Sequence, residues 1–156
     1  MLFVGDLGAA DEPRPPELAD KTLVTWVQLA DLTQRGGSTL TIIDPAERFD
    51  AIVFGERHTG RWMAGSDFFH RTWRDQASWP AETARPDTLV QIAVVYRGRQ
   101  VTLYRNGQLY ASYEIAEPQA FGADAMVLIG LRYVGRMGEI GFLRGAIDDA
   151  RIYGDA

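Results

Sequence analysis

Two neighbouring acids, Asp148 and Asp149, stand in the segment GAIDDARIY near the end of this 156-residue chain. Paired carboxylates can act as a general acid and a nucleophile when they sit about 5–5.5 Å apart on one surface. The segment alternates like a strand, and adjacent strand residues point to opposite faces. The pair therefore qualifies as catalytic only if the strand is bulged. His58 and His70 are the only histidines. His70 lies near Asp67 and Asp75, which is the arrangement of a base and its orienting acid. A nucleophile is harder to find, because AGSDF carries Ser66 without the second glycine of a G-x-S-x-G elbow. Cysteine is absent, which excludes thiol catalysis, disulfides and thiolate zinc sites. The histidines also lack the helical spacing of a two-histidine metal motif. In DPAERFD, Asp44 before a proline reads as turn chemistry, with Glu47 and Asp50 in the same turn region. The stretch richest in functional groups is 57–79, which mixes tryptophans, arginines and histidines.

The elements that must position these residues are strands. KTLVTWVQL (21–29), STLTIID (38–44), DAIVFGE (50–56) and GRWMAGS (60–66) come first. TLVQIAVVY (88–96), VTLYRNG and QLYASYEI follow, then AMVLIGLRY (125–133) and GAIDDARIY. Asn106-Gly107 between two alternating runs is a strong hairpin signal, since a type I′ turn needs positive φ at both positions. Tyr104 and Tyr110 are expected to pair across that hairpin. No segment sustains a helical period, and turns recur at short intervals, so the chain reads as an all-β sandwich or barrel. LVQIAVVY is apolar on both faces and belongs in the middle of a sheet. In GRWMAGS, alternation groups Trp62, Ala64 and Ser66 against Met63 and Gly65.

Composition narrows the function classes. Hydrophobic residues make up 46% and charged residues 24%, an ordinary globular mix that suits one domain over 1–156. The net charge is −5 and the arginines are scattered, so nucleic acid is not an expected partner. No segment approaches a membrane span. MLFVGDLG lacks the basic lead and apolar length of a signal peptide, so an exported domain would take its signal from further upstream. We read the chain as one module cut from a longer multidomain protein.

Four segments, in order, resemble the laminin-G-like or concanavalin A-like lectin/glucanase family. TLVTWVQLADL resembles its early strand, with Trp26 expected to be buried. LVQIAVVYRGRQVTLYRNGQLYAS resembles its central hairpin series, VLIGLRY a later strand, and FLRGAIDDARIYG the closing segment. Together they cover roughly residues 20–154. The resemblance implies a two-sheet antiparallel jelly-roll sandwich. It does not fix a function, because this fold hosts many. Glycan-cleaving members place their carboxylates at alternate positions of one strand, a pattern missing here, so no catalytic residues are expected. Many members hold a structural calcium where the termini meet. That implies Asp148 as a ligand, with Asp6 or nearby carbonyls, and no other cofactor.

The resemblance also implies a carbohydrate ligand. Sugars are held by aromatic faces and a few placed polar groups in a groove. The expected ligand-binding residues are Trp62, His70, Arg71, Trp73 and Arg74, with Arg132 and Tyr133 on the rim. An arginine could fork onto an acidic sugar. The glycine-bounded loop Val134–Gly138 is expected to move. The reading is a non-catalytic, carbohydrate-binding accessory module of an extracellular, periplasmic or cell-surface protein, such as a glycoside hydrolase. The alternative is a structural module that docks on a neighbouring domain of the parent chain and shows a flat apolar patch. A glycan-cleaving enzyme comes last.

Overall fold

The computed structural model describes residues 17–135 and 140–154. Asp6 and part of the Val134–Gly138 loop lie outside them. Among the described residues nine strands form: β1 (Lys21–Leu29), β2 (Gly37–Ile43), β3 (Phe49–Phe54), β4 (Trp62–Ser66), β5 (Val90–Arg97), β6 (Gln100–Arg105), β7 (Gln108–Glu114), β8 (Met126–Ile129) and β9 (Gly145–Gly154). A short 3₁₀ turn, Asp67–Phe69, follows β4. The strands pair antiparallel into two sheets, β7-β6-β5-β1-β9 and β4-β3-β2-β8. This is the expected two-sheet jelly-roll sandwich. The Asn106-Gly107 turn forms as expected, with φ of 49° and 75°.

Alternation fills the space between the sheets. Leu23 and Val27 of β1, Ile52 and Phe54 of β3, and Val94 and Leu103 of β5 and β6 are fully shielded from solvent. Truncating one such side chain to alanine costs about 2–5 kcal/mol. In β4, Trp62 and Ala64 turn inward and Met63 turns outward, which is the grouping that alternation predicts.

The two outer faces differ. On the four-stranded sheet, Ile43, Phe49, Ala51, Val53 and Met63 form a second apolar layer that connecting segments cover. On the five-stranded sheet, Gln91, Ala93 and Val95 stay partly exposed, so β5 is not covered on both sides as its sequence suggests. Trp26 also lies on that open face. It is half-buried, with the Arg151 guanidinium 5.1 Å from its ring centre.

Strand β9 carries the bulge that would put the two acids together. Trp26 pairs with Asp149 and Val27 with Ile147, which leaves Asp148 as the extra residue. Ile147 and Ala150 both pack on the inner core, so Asp148 and Asp149 both fall on the outer side. The expectation of opposite faces is corrected. A second register shift, after Leu103, pairs Tyr104 with Leu109. Tyr110 is therefore free to meet the Trp79 ring, and its hydroxyl donates to Pro80 O at 2.6 Å.

Candidate ligand-binding site

The segment after β4 is locked to the sheet by charge. Arg71 donates through Nε to Asp50 Oδ1 at 2.7 Å and through its terminal nitrogen to Asp67 Oδ1 at 2.5 Å. The same nitrogen reaches Phe49 O at 2.9 Å. Lys21 Nζ meets Asp50 Oδ2 at 3.0 Å and donates to Gln119 O at 2.8 Å. All four charged side chains are buried. Two cations balance two carboxylates, which is the condition under which buried charge is tolerated. Burial works against ionising Asp67, but Arg71, the Phe49 N–H and His70 outweigh it and hold its carboxyl below the usual range. Burial pushes the Lys21 ammonium below its ordinary value, although Asp50 pulls the other way.

This lock fixes an unusual backbone. Phe68 and Phe69 both adopt left-handed conformations, with φ of 49° and 59°. For bulky residues this costs of the order of 1–3 kcal/mol each and persists only where the surroundings over-determine it. Here Asp67 anchors one end, Thr72 N donates to Phe69 O at 3.3 Å, and the Arg57 guanidinium lies 5.1 Å from the Phe69 ring centre. As a result Phe68 stands out from the surface, 71% exposed.

Beside Phe68 opens a pocket of about 320 Å³ on the outer face of the four-stranded sheet. Phe49 and Phe69 contribute apolar lining; Glu47, Glu56, Asp67, Arg132 and Tyr133 contribute the polar groups. Arg132 and Tyr133 come from the segment after β8, which Thr41 Oγ1 pins by donating to Leu131 O at 3.1 Å. Arg132 pairs with Glu56, and the Tyr133 hydroxyl donates to Glu47. The Tyr133 ring tilts against Phe49 at 5.9 Å. Glycines make room for these side chains. A side chain at Gly135 would collide with the Tyr133 hydroxyl, and one at Gly36 or Gly141 would press on Arg132. Glu47 holds φ 64° in the turn that Asp44 closes by accepting from Arg48 N at 3.0 Å.

The expected ligand-binding residues thus separate. Arg132 and Tyr133 line the pocket, and His70 stands exposed at its margin, its Nδ1 3.2 Å from Asp67 Oδ2. Arg71 lies beneath, 6% exposed and held by two carboxylates, so it supports the site without facing a ligand. Trp62 does not face solvent at all; it is in the core, and its Nε1 donates to Glu82 Oε2 at 2.8 Å. Arg74 is exposed. Trp73 belongs elsewhere, in a cleft with Trp79, Ser112, Tyr113 and Glu114. Asp50 is not a turn residue but a buried strand residue, for the reason given above. Glu47, Glu56 and Phe68 were not singled out as ligand-binding; only the aromatic doublet in DFF hinted at one of them.

Ser66 does not complete a triad. Its hydroxyl accepts from Arg71 N at 2.9 Å and meets Thr72 Oγ1 at 3.1 Å. Asp149 is taken up by Arg151, at 2.8 and 2.5 Å. Asp148 is exposed, and no cluster of three acids or histidines occurs among the described residues. The expected calcium site joins Asp148 to Asp6 or N-terminal carbonyls, and Asp6 lies outside the described residues.

Among curated proteins none matches the chain in sequence. Solved structures share its fold. Domain 4 of AbnA, a GH43 extracellular arabinanase from Geobacillus stearothermophilus in complex with arabinotriose, superposes with a TM-score of 0.61 at 19% identity over 90% of this chain. Domains LG4-5 of the mouse laminin alpha1 chain superpose at 0.62 with 12% identity, again over 90%. The CBM40 of the Ruminococcus gnavus IT-sialidase superposes at 0.58 with 17% identity over 88%. The chain spans 65% of the arabinanase chain, 37% of the laminin chain and 77% of the sialidase module. A laminin G-type family model, described as the concanavalin A-like lectin/glucanases superfamily, matches residues 10–156, and the chain belongs to that superfamily.

Proposed function

We propose that this chain is a non-catalytic carbohydrate-binding module and that its glycan sits in the pocket beside Phe68. The observation that carries this reading is the pocket itself. An exposed aromatic ring on a strained backbone overhangs polar groups that are already fixed by one another. Aromatic faces take the C–H surface of a sugar, while the carboxylate oxygens of Glu47 and Glu56 accept from its hydroxyls. Preorganised groups of this kind lose little freedom on binding. The carboxylates of the pocket are engaged by Tyr133 and Arg132, an arrangement suited to holding a ligand. The arabinotriose complex of the similar arabinanase domain supports the ligand class. We place the module in an exported protein, as an accessory to a larger chain.

Isothermal titration against a panel of oligosaccharides tests the reading. Phe68→Ala and Tyr133→Phe should each weaken binding of at least one sugar that the native chain takes up. Unchanged affinity for every such sugar in both variants would remove the pocket from consideration. A second reading, docking to a neighbouring domain, is favoured by one feature. Edge strand β8 and the Leu131–Phe142 bridge carry exposed Met126, Ile129, Ile140 and Phe142. Charged substitutions at Met126 and Ile129 should leave sugar binding intact and abolish such docking.

A further inference from the structure

We propose that Trp73, Tyr113 and Trp79 form a second carbohydrate-binding surface that works independently of the pocket. The two sites share no residue. They lie at opposite ends of one segment, Asp67–Trp79, whose first residues enter the pocket and whose later ones enter the cleft.

Three features separate this aromatic group from ordinary core packing. First, Trp73 is 46% exposed, although its backbone is firmly held: Gln76, fully buried, donates to Trp73 O at 2.8 Å. The loop is pinned again where Arg61 donates to Trp79 O at 3.0 Å and Tyr110 to Pro80 O at 2.6 Å. The ring is thus presented on a rigid support. Second, the two tryptophan rings both pack on Tyr113. Trp79 stacks on Tyr113 with 25° between planes and 6.1 Å between centres, and Trp73 tilts 39° from Tyr113 at 5.6 Å. Tyr113 itself is buried, its hydroxyl donating to Arg71 O at 3.0 Å.

Third, polar groups border the rings. Ser112 and Glu114 of β7 line the cleft, and the Glu114 carboxylate makes no hydrogen bond or ion pair with any described residue. A carboxylate beside an aromatic platform accepts from the hydroxyls of a sugar whose C–H face lies on the indole. The ring exposure decides against the nearest alternative. A quaternary ammonium is held by several ring faces around the cation, whereas here Trp79 stacks on a buried Tyr113 and the Trp73 indole is the most exposed ring. A flat pyranose in a neutral oligosaccharide fits that exposed ring, and an acidic sugar does not fit beside Glu114.

The test titrates the full chain with cellotetraose, xylotetraose and laminaritetraose, read by tryptophan fluorescence and calorimetry. The native chain should show quenching with at least one of them. Trp73→Ala should weaken that component about ten-fold or more, while Trp73→Phe keeps it within about three-fold. Glu114→Gln should weaken it, and Phe68→Ala should leave it unchanged. An unaltered urea midpoint in Trp73→Ala keeps the result free of folding effects. If Phe68→Ala abolishes all binding while Trp73→Ala changes nothing, the pocket stands and this second surface falls. If the reverse holds, the second surface stands and the pocket falls. Absence of quenching by all three sugars overturns the proposal, as does quenching by choline or a proline-rich peptide alone.

Discussion

The two sheets of the sandwich present outer faces that the chain treats in opposite ways. On the four-stranded sheet, β3 buries Phe49, Ala51 and Val53 beneath the segments 44–48, 55–57, 67–69 and 131–135. On the five-stranded sheet, the matching positions of β5 are Gln91, Ala93 and Val95, and they stay partly open. Both faces carry a guanidinium–carboxylate pair and an aromatic ring. Beneath the covered face Arg71 ties Asp67 to Asp50, whose side chain turns between the sheets, out of water; on the open face the pair is Arg151 with Asp149, in water. The difference shows that the site is made by connecting segments folding back on a sheet. Buried charge is the device that holds them there.

The largest expected effect follows from that contrast. Arg71→Ala leaves two buried carboxylates with Lys21 as their one buried cation and should lower stability by about 3–5 kcal/mol, measured by urea unfolding near neutral pH. Arg151→Ala, which removes the same kind of pair from the open face, should leave the midpoint unchanged. Equal losses would break the comparison.

A second effect separates buried from open ion pairs by pH. Glu82, buried at the sandwich end, accepts from Arg105 at 2.8 and 2.7 Å and from Trp62 Nε1 at 2.8 Å. Burial opposes its ionisation, yet Arg105, Trp62 and the Ala84 N–H bring its pKa down to about 2. A depressed folded-state value stabilises the fold above the unfolded pKa and is lost as pH falls through the folded one. Stability should therefore drop by something on the order of 3 kcal/mol between about pH 5 and pH 2. Glu82→Gln should flatten that slope. Asp149 is also held low, by Arg151, but it is open to water and its contribution should vanish with added salt.

The smallest effect sits in the pocket. Tyr133→Phe removes one hydrogen bond to Glu47 and should cost about 1 kcal/mol of stability. Gly135→Ala, which pushes a methyl group into that hydroxyl, should impair the pocket in the same way.

The strands were legible because alternation and turn chemistry are local. Asn106-Gly107 and the Trp62–Ala64 grouping came directly from the residue pattern. Alternation says which residues share a face and not which face turns inward, and that is why Trp62 was expected at the ligand and lies in the core. Arg71 looked like a ligand-facing arginine because Asp50, its partner 21 positions away, meets it only through the fold. The pocket joins Glu47, Glu56, Phe68 and Arg132 across sequence distances that carry no short-range signal. The bulge at Asp148 was invisible, since an extra residue leaves no mark in composition. It overturned the expected separation of the two acids, of which Asp149 is paired with Arg151.

The most direct test of the account compares one substitution on each face. A sugar that the native chain binds, and that Trp73→Ala still binds, should be titrated into Phe68→Ala and into Trp26→Ala, with the unfolding midpoint of each recorded. The account predicts weakened binding in Phe68→Ala with little loss of stability, and native affinity in Trp26→Ala. Native affinity in Phe68→Ala together with lost binding in Trp26→Ala would contradict it and move the ligand to the open face.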